Sequence, residues 1–261
     1  VRSVAAVGVA VVFLLPLVLL VTGSLRSTTL APPRGPELLP RPLAFENYGR
    51  AFELVDLGRY ALNSLVVAAI AVPLTLLVAS WAGFALSQVP ARIQRAVVAA
   101  SFAALMVPLT ALMVPRFAIF RALGLVDTWA PLIAPALIGT SPFYVLVYWW
   151  AFRRLPREAL DAARVDGAGP FTLWRRVALP LVRPVTAAVA VLAFSITWSN
   201  FVDPLLYLFD ESLYTLPLGV RSLSTLDRSD LPLMLAGAVV ATAPALLALV
   251  PLHRALRRPL A

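Results

Sequence analysis

The chain contains no lysine, no cysteine and a single histidine, His253. Without lysine there is no GxxxxGK[ST] phosphate loop and no Schiff-base nucleophile, so ATP binding in the P-loop manner and imine catalysis are excluded. Without cysteine there are no disulfides and no zinc site built from Cys and His. His253 stands among terminal arginines and reads as an interfacial residue, which leaves a Ser-His-Asp triad without a well-placed base. Charge is scarce too: 13% of residues are charged against 61% apolar, and the mean hydropathy is +0.87. Too little polar surface remains to cover a soluble core, so the chain belongs in a bilayer.

Charges are absent between Arg2 and Arg26, Arg59 and Arg92, Arg95 and Arg116, Asp127 and Arg153, Arg183 and Asp203, and Asp230 and Arg254. Each gap holds a helix of about 20 residues, enough to cross roughly 30 Å of hydrocarbon. The pattern predicts an all-α polytopic membrane protein with six transmembrane helices, near residues 4–22, 61–84, 96–115, 129–150, 184–202 and 232–252. The runs are continuously apolar, whereas barrel strands alternate over about 10 residues. The first run exceeds the about 7–15 residue apolar core of a secretory signal and is kept as a span. No repeat or boundary is visible, so residues 1–261 read as one transmembrane domain.

Arginine placement sets the orientation. Arg2, Arg92, Arg95, the segment 153–183 and the carboxyl-terminal arginines fall on one side, which the positive-inside rule makes cytoplasmic, together with both termini. The first outer loop also carries Arg26, Arg34, Arg41, Arg50 and Arg59, but mixes them with Glu37, Glu46, Glu53 and Asp56. The net charge of +9 is accounted for by topology and attraction to anionic lipid, with no need for nucleic acid. No Asp, Glu, Lys or Arg lies near a span centre, which argues against ion or proton coupling. The polar groups within spans, among them Asn63, Ser64, Thr75, Thr140 and Ser141, are small and neutral and are expected to bond their own backbone or a neighbour.

Between spans, residues 26–59 form a proline-rich outer loop (Pro32, Pro33, Pro36, Pro40, Pro42) leading into FENYGRAF, a short surface helix. Residues 116–127 set Phe117, Phe120 and Leu123 near one helical face in the outer interface. Residues 203–230 read as an outer or partly re-entrant loop.

The polar island is 153–183. Pro156 suits a helix start, and Glu158 and Asp161 complement the positive end of its dipole. Ala159, Ala162, Ala163 and Asp166 recur at spacings of three and four, a narrow face against which another backbone can pack. Gly167, Ala168, Gly169 and Pro170 end that helix. A second helix follows through Phe171, Leu173, Trp174 and Val177, with Arg175 and Arg176 toward head groups and Pro180 as its stop.

The run DAARVDGAGPFTLWRRVALP resembles the cytoplasmic EAA loop of permease subunits of ATP-binding cassette importers. That pattern is Glu-Ala-Ala, a glycine four residues after the last alanine, and a later Ile-x-Leu-Pro. The matching positions are Asp161, Ala162, Ala163, Gly167, Val177, Leu179 and Pro180. Six spans, FENYGRAF, WSNFVDPLLYL and YTLPLGV are similar to the carbohydrate branch, the maltose-type inner-membrane permeases. Two positions depart from it: Asp161 replaces the usual Glu, and Asp203 stands where large apolar residues are common.

The resemblance implies a transport subunit, not an enzyme, in a bacterial or archaeal inner membrane, with no cofactor, metal or catalytic residue of its own. Asp161 to Pro180 would be a coupling element docked on a cytoplasmic ABC ATPase dimer, beside a second, different permease and a periplasmic or extracellular solute-binding protein. Solute, a sugar or oligosaccharide, would move by alternating access, with Trp198, Ser199 and Asn200 on its path. A permease for an amino acid or peptide, or an ATPase-independent facilitator, are the alternative readings.

Overall fold

The computed structural model describes residues 2–28, 30, 35, 38–226 and 230–256. Expectations resting on Pro32, Pro33, Arg34, Pro36, Glu37, the His253 side chain and the terminal arginines lie outside the described residues. In chain order the helices are α1 (Arg2–Ser24), α2 (Glu46–Leu54), α3 (Leu57–Gln88), α4 (Ala91–Leu105), α5 (Met113–Ala122), α6 (Pro142–Phe152), α7 (Arg157–Val165), α8 (Pro170–Leu181), α9 (Arg183–Trp198), α10 (Val202–Tyr207), α11 (Leu216–Leu226) and α12 (Leu231–Leu256). Short helical turns, Ala130–Ile133 and Ala134–Ile138, precede α6. Among the described residues the only extended pairing is an isolated bridge between Arg26 and Leu43. The all-α class follows from solvent: in hydrocarbon a backbone must satisfy its own hydrogen bonds.

Among the described residues three stretches are long and apolar enough to cross a membrane: Leu57–Gln88, Ala130–Phe152 and Leu231–Ala248. Two further runs are broken. Ala91–Leu105 and Leu109–Ala122 meet at 85°, and Pro170–Leu181 and Arg183–Trp198 at 86°. The span expected over 96–115 falls on the first of these bent pairs. Pro108 has no N–H to continue the ladder and sits extended at φ −66°, ψ 129°, so the helix ends at Leu105 and turns. The expected loop 203–230 is largely helical, holding α10 and α11.

The described chain divides into two compact units, residues 1–64 with 210–247, and 65–209 with 248–261. In the first, FENYGRAF forms α2, and its Asn47 is buried. The Asn47 amide donates to the carbonyls of Ser24 and Arg26, both at 2.8 Å, and Tyr48 Oη meets Ser24 Oγ at 2.7 Å. Helix α1 ends there with orphan carbonyls, and Asn47 supplies donors for that end of the chain. Arg50 reaches Asp230 Oδ2 at 3.0 Å, while Asp230 Oδ1 accepts the Leu233 N–H at the start of α12. Asn63 donates to the Ser212 and Tyr214 carbonyls, each at 2.9 Å, and Ser64 Oγ accepts the Leu216 N–H at 2.8 Å.

The second unit holds the main apolar cluster, including Ala79, Phe84, Tyr144, Tyr148, Phe152, Leu160, Leu173, Trp174 and Val189. Helices α3 and α6 meet at Gly83, where an added Cβ would lie 2.6 Å from Tyr148 Cβ, 2.8 Å from the Trp149 nitrogen and 2.9 Å from the Val145 oxygen. Backbone on backbone is the contact here. Before α6 the chain takes a left-handed step at Gly139 (φ 76°) and Thr140 (φ 62°), and Thr140 Oγ1 meets Thr75 Oγ1 of α3 at 2.5 Å.

Gly83→Ala is expected to force α3 and α6 apart and cost about 1–3 kcal/mol, the usual toll of overpacking. Gly49→Ala, where an added Cβ meets nothing within 4 Å, should be neutral or stabilising by up to ~1 kcal/mol. Thermal unfolding of the two purified variants in one detergent measures the contrast.

Candidate functional site

Helix α7 starts after Pro156, carries Glu158 in its first turn, and ends in a closed cap. The Gly167 N–H bonds the Arg164 carbonyl at 3.0 Å and the Ala168 N–H bonds the Ala163 carbonyl at 2.9 Å, with Gly167 at φ 82°. This is the Schellman arrangement, and its left-handed residue favours glycine because a Cβ would crowd the following carbonyl. An added Cβ at Gly167 would still meet nothing within 4 Å. Backbone conformation is what Gly167 supplies within this chain.

Leu160 is the buried anchor of α7, a residue that the alanine pattern did not single out. Ala159 and Ala163 are half-buried, whereas Asp161, Ala162, Asp166 and Gly167 are exposed and Val165 is 87% exposed. The expected small-residue face is thus divided: Ala163 packs inward against the cluster, and Ala162 faces out. Asp161 Oδ1 accepts from Arg164 Nη1 at 2.6 Å, and Arg164 Nη2 donates to Gln88 Oε1 at 2.5 Å. That second bond ties the helix to the end of α3.

Helix α8 opens at Gly169 and Pro170 and passes through a π-helical stretch, Leu173–Ala178. Pro180 does not stop it; helical geometry runs on to Leu181, the chain turning at Val182 before α9. Single-turn π segments are one way a helix absorbs a residue that cannot donate to the ladder. Leu173, Trp174 and Ala178 are buried, Val177 and Leu179 pack against the chain's own cluster, and Pro180 is half-buried. Of the sequence-predicted docking residues, Asp161, Ala162 and Gly167 therefore share an outer surface with Val165, and Val177, Leu179 and Pro180 do not.

What seats this hairpin is aromatic. Trp81 of α3 lies 5.1 Å from Trp174 and 5.8 Å from Phe171, both edge-on, and Phe84 lies 5.5 Å from Phe152 at 81°. Such pairs contribute about 0.5–1.5 kcal/mol each beyond their burial.

The second predicted group, Trp198, Ser199 and Asn200, sits at the other end of α9, roughly 24 Å away along a helix of this length. It does not form one exposed patch. Trp198 is buried and stacked on Phe194 at 5.5 Å, the Ser199 hydroxyl bonds the Ser195 carbonyl at 2.7 Å, and Asn200 is half-buried. Asn200 donates to Asp203 Oδ2 at 3.0 Å and accepts the Asp203 N–H at 3.2 Å. Asp203 Oδ1 in turn pairs with Arg116 Nη1 at 3.2 Å, and Arg116 lies 5.9 Å over the Tyr207 ring. Phe117 and Phe120, predicted to share a face, both pack on Tyr207. Burial raises the Tyr207 phenol above its ordinary pKa, opposed by the Arg116 charge. Asp203, one of the two positions that depart from the pattern the sequence resembles, is thus the partner of a partly buried arginine. Sequence spacing could not join positions 116 and 203.

Asp203→Leu should leave Arg116 unpaired and lower stability by about 1–3 kcal/mol. Adding Arg116→Leu should recover most of that, because the paired charges are replaced together. Thermal unfolding of the two single variants and the double gives the coupling directly.

The profile of the family described as binding-protein-dependent transport system inner membrane component matches residues 71–258. An arabinooligosaccharide transport system permease protein of Halalkalibacterium halodurans is 31% identical over 241 residues, covering 90% of this chain and 85% of its own. A lactose transport system permease protein of Rhizobium radiobacter is 30% identical over 210 residues, 80% of this chain and 76% of its own. The fold is similar to that of a bacterial ABC transporter involved in the import of the acidic polysaccharide alginate, with a TM-score of 0.77 at 21% identity over 97% of this chain and 94% of that one. From the profile match over most of its length and this level of identity, the chain belongs to the inner-membrane permease components of binding-protein-dependent transport systems, multi-pass transport subunits and not enzymes.

Proposed function

We propose that this chain is the membrane-spanning subunit of an ATP-driven importer for a sugar or oligosaccharide, and that α7 is the element through which a separate ATPase moves it. The observation that carries the docking role is the placement of Val165. A large apolar side chain that is 87% exposed, on the outward side of a capped helix, has its natural cover in a protein partner. Asp161, Ala162 and Gly167 lie on the same outer surface, and Ala162 and Gly167 leave room for a close approach.

The chain has no lysine for a P-loop, so the work comes from outside it. Closure of an ATPase dimer would push α7, and the aromatic seat around Trp81 and Trp174 would pass that push to α3 and α6 as a rigid-body displacement. A second, different permease would supply the other half of the pathway. A solute-binding protein would deliver the cargo on the outer face. The arginine-rich short segments support a cytoplasmic α7 and α8, with both termini on that side. The sugar reading is supported by the arabinooligosaccharide and lactose permeases among the relatives. Asn200, tied to Asp203, would then act on the path as a positioning residue or only as a brace.

Val165→Asp is expected to weaken ATPase co-purification by about 30-fold or more, the cost of burying a valine lost and a carboxylate put in its place. Asp161→Asn separates two roles. Its exposed bond to Arg164 is worth only a few tenths of a kcal/mol to the helix, so a heavy loss of ATPase binding would mark a direct contact. Full co-purification and full solute-stimulated hydrolysis in the Val165→Asp complex would overturn the docking role.

A further inference from the structure

The first turns of α4 and the last turn of α6 enclose a cleft of about 510 Å³ that takes no part in the docking surface. Its mouth carries Arg95 and Arg153, and its wall is Trp149. The wall is held in place. Trp149 Nε1 donates to Gln94 Oε1 at 3.0 Å, Gln94 Nε2 donates to the Val89 carbonyl at 2.8 Å, and the Arg153 guanidinium lies 4.9 Å over the Trp149 ring.

Among the described residues neither arginine pairs with a carboxylate: the ion pairs belong to Arg50, Arg116 and Arg164. Arg95 makes only a 3.4 Å bond from Nε to the Ala91 carbonyl. The first turn of α4 contains no acidic residue either, so the positive end of its dipole offsets the negative end of α6 at the same cleft and leaves the arginines to set the potential. Below this cationic mouth the lining becomes apolar through Val98 and Phe102. Phe102 is seven residues beyond Arg95, roughly 10 Å along the helix. A cationic patch continued by an apolar groove of that length, at the arginine-rich end of membrane spans, suits a phospholipid with an anionic head group.

We infer that this cleft binds an anionic phospholipid of the cytoplasmic leaflet, its phosphate between Arg95 and Arg153 and an acyl chain along Val98 and Phe102. Trp149 serves as the interfacial wall, where an indole has an apolar body and a polar edge. The inference rests on the proposed orientation, with this end of the spans cytoplasmic, and stands apart from the docking role of α7.

Native mass spectrometry of the full-length purified chain, titrated with phosphatidylglycerol or with phosphatidylcholine of the same acyl composition, tests it. The wild type should retain phosphatidylglycerol preferentially. Each arginine near an anionic surface contributes roughly a fivefold factor, so Arg95→Gln with Arg153→Gln should remove about 25-fold and bring binding near the phosphatidylcholine level. Arg95→Lys with Arg153→Lys should keep most of the preference. Arg59→Gln with Arg121→Gln, two exposed arginines elsewhere, removes equal charge and should change nothing. A glutamine double variant that melts like wild type and keeps the wild-type preference overturns the proposal. Displacement of phosphatidylglycerol by excess inorganic phosphate would also overturn it, since the site would then be one for a free anion. Binding lost equally in the Arg59 and Arg121 variant would reduce the effect to net charge and overturn it as well.

Discussion

The second unit depends on one close approach. At Gly83 a side chain is missing, and because it is missing α3 and α6 meet with Val145, Tyr148 and Trp149 against bare backbone. Without a hydrophobic drive between helices in lipid, such van der Waals contact through small residues is what holds a bundle together. The aromatic seat then follows from it. Phe84 and Trp81 lie beside Gly83 on α3, Tyr148 and Phe152 on α6, and these rings receive Trp174 and Phe171 from α8. Remove the approach and the seat has no fixed shape.

The lever role proposed for α7 would need a fixed seat. Helix α7 is short, and a nine-residue helix is marginal by itself. Here its start is set by Pro156, its end by the Gly167 cap, its inner side by Leu160, and its last turn by the bond from Arg164 to Gln88. Four restraints on nine residues leave the outer surface, Asp161, Ala162 and Val165, exposed but not loose. Under that proposal a force applied there would pass into packed rings rather than into a flexible loop, because packed interiors deform little.

Polar groups inside the apolar runs do more joining than their types suggest. Small hydroxyls and amides in membrane helices usually bond the turn below, and Ser80 with the Leu77 carbonyl does so. Thr75, Asn63 and Ser64 instead reach other segments, Thr75 to Thr140, Asn63 to Ser212 and Tyr214, and Ser64 to Leu216. Asn47 likewise turns FENYGRAF from a surface helix into a clamp on the end of α1. A serine reads alike in either role. Only the partner's position separates them, and that partner can be over 100 residues away in sequence, as Leu216 is from Ser64.

Sequence alone determined the class and where the candidate helix begins and ends. Charge-free runs of span length demand helices because lipid offers the backbone no partner, and glycine at 167 demands a helix end because the left-handed region is open to it. The absence of lysine excludes a P-loop within this chain for the same kind of reason, a missing functional group. Tertiary structure decided the rest: the bend at Pro108, the passage of α8 through Pro180, the inward turn of Val177 and Leu179, the outward turn of Val165, and the joining of Arg116 to Asp203. Each of these depends on which neighbour a residue meets across the fold. Local periodicity carries no information about such contacts, since it describes one helix at a time.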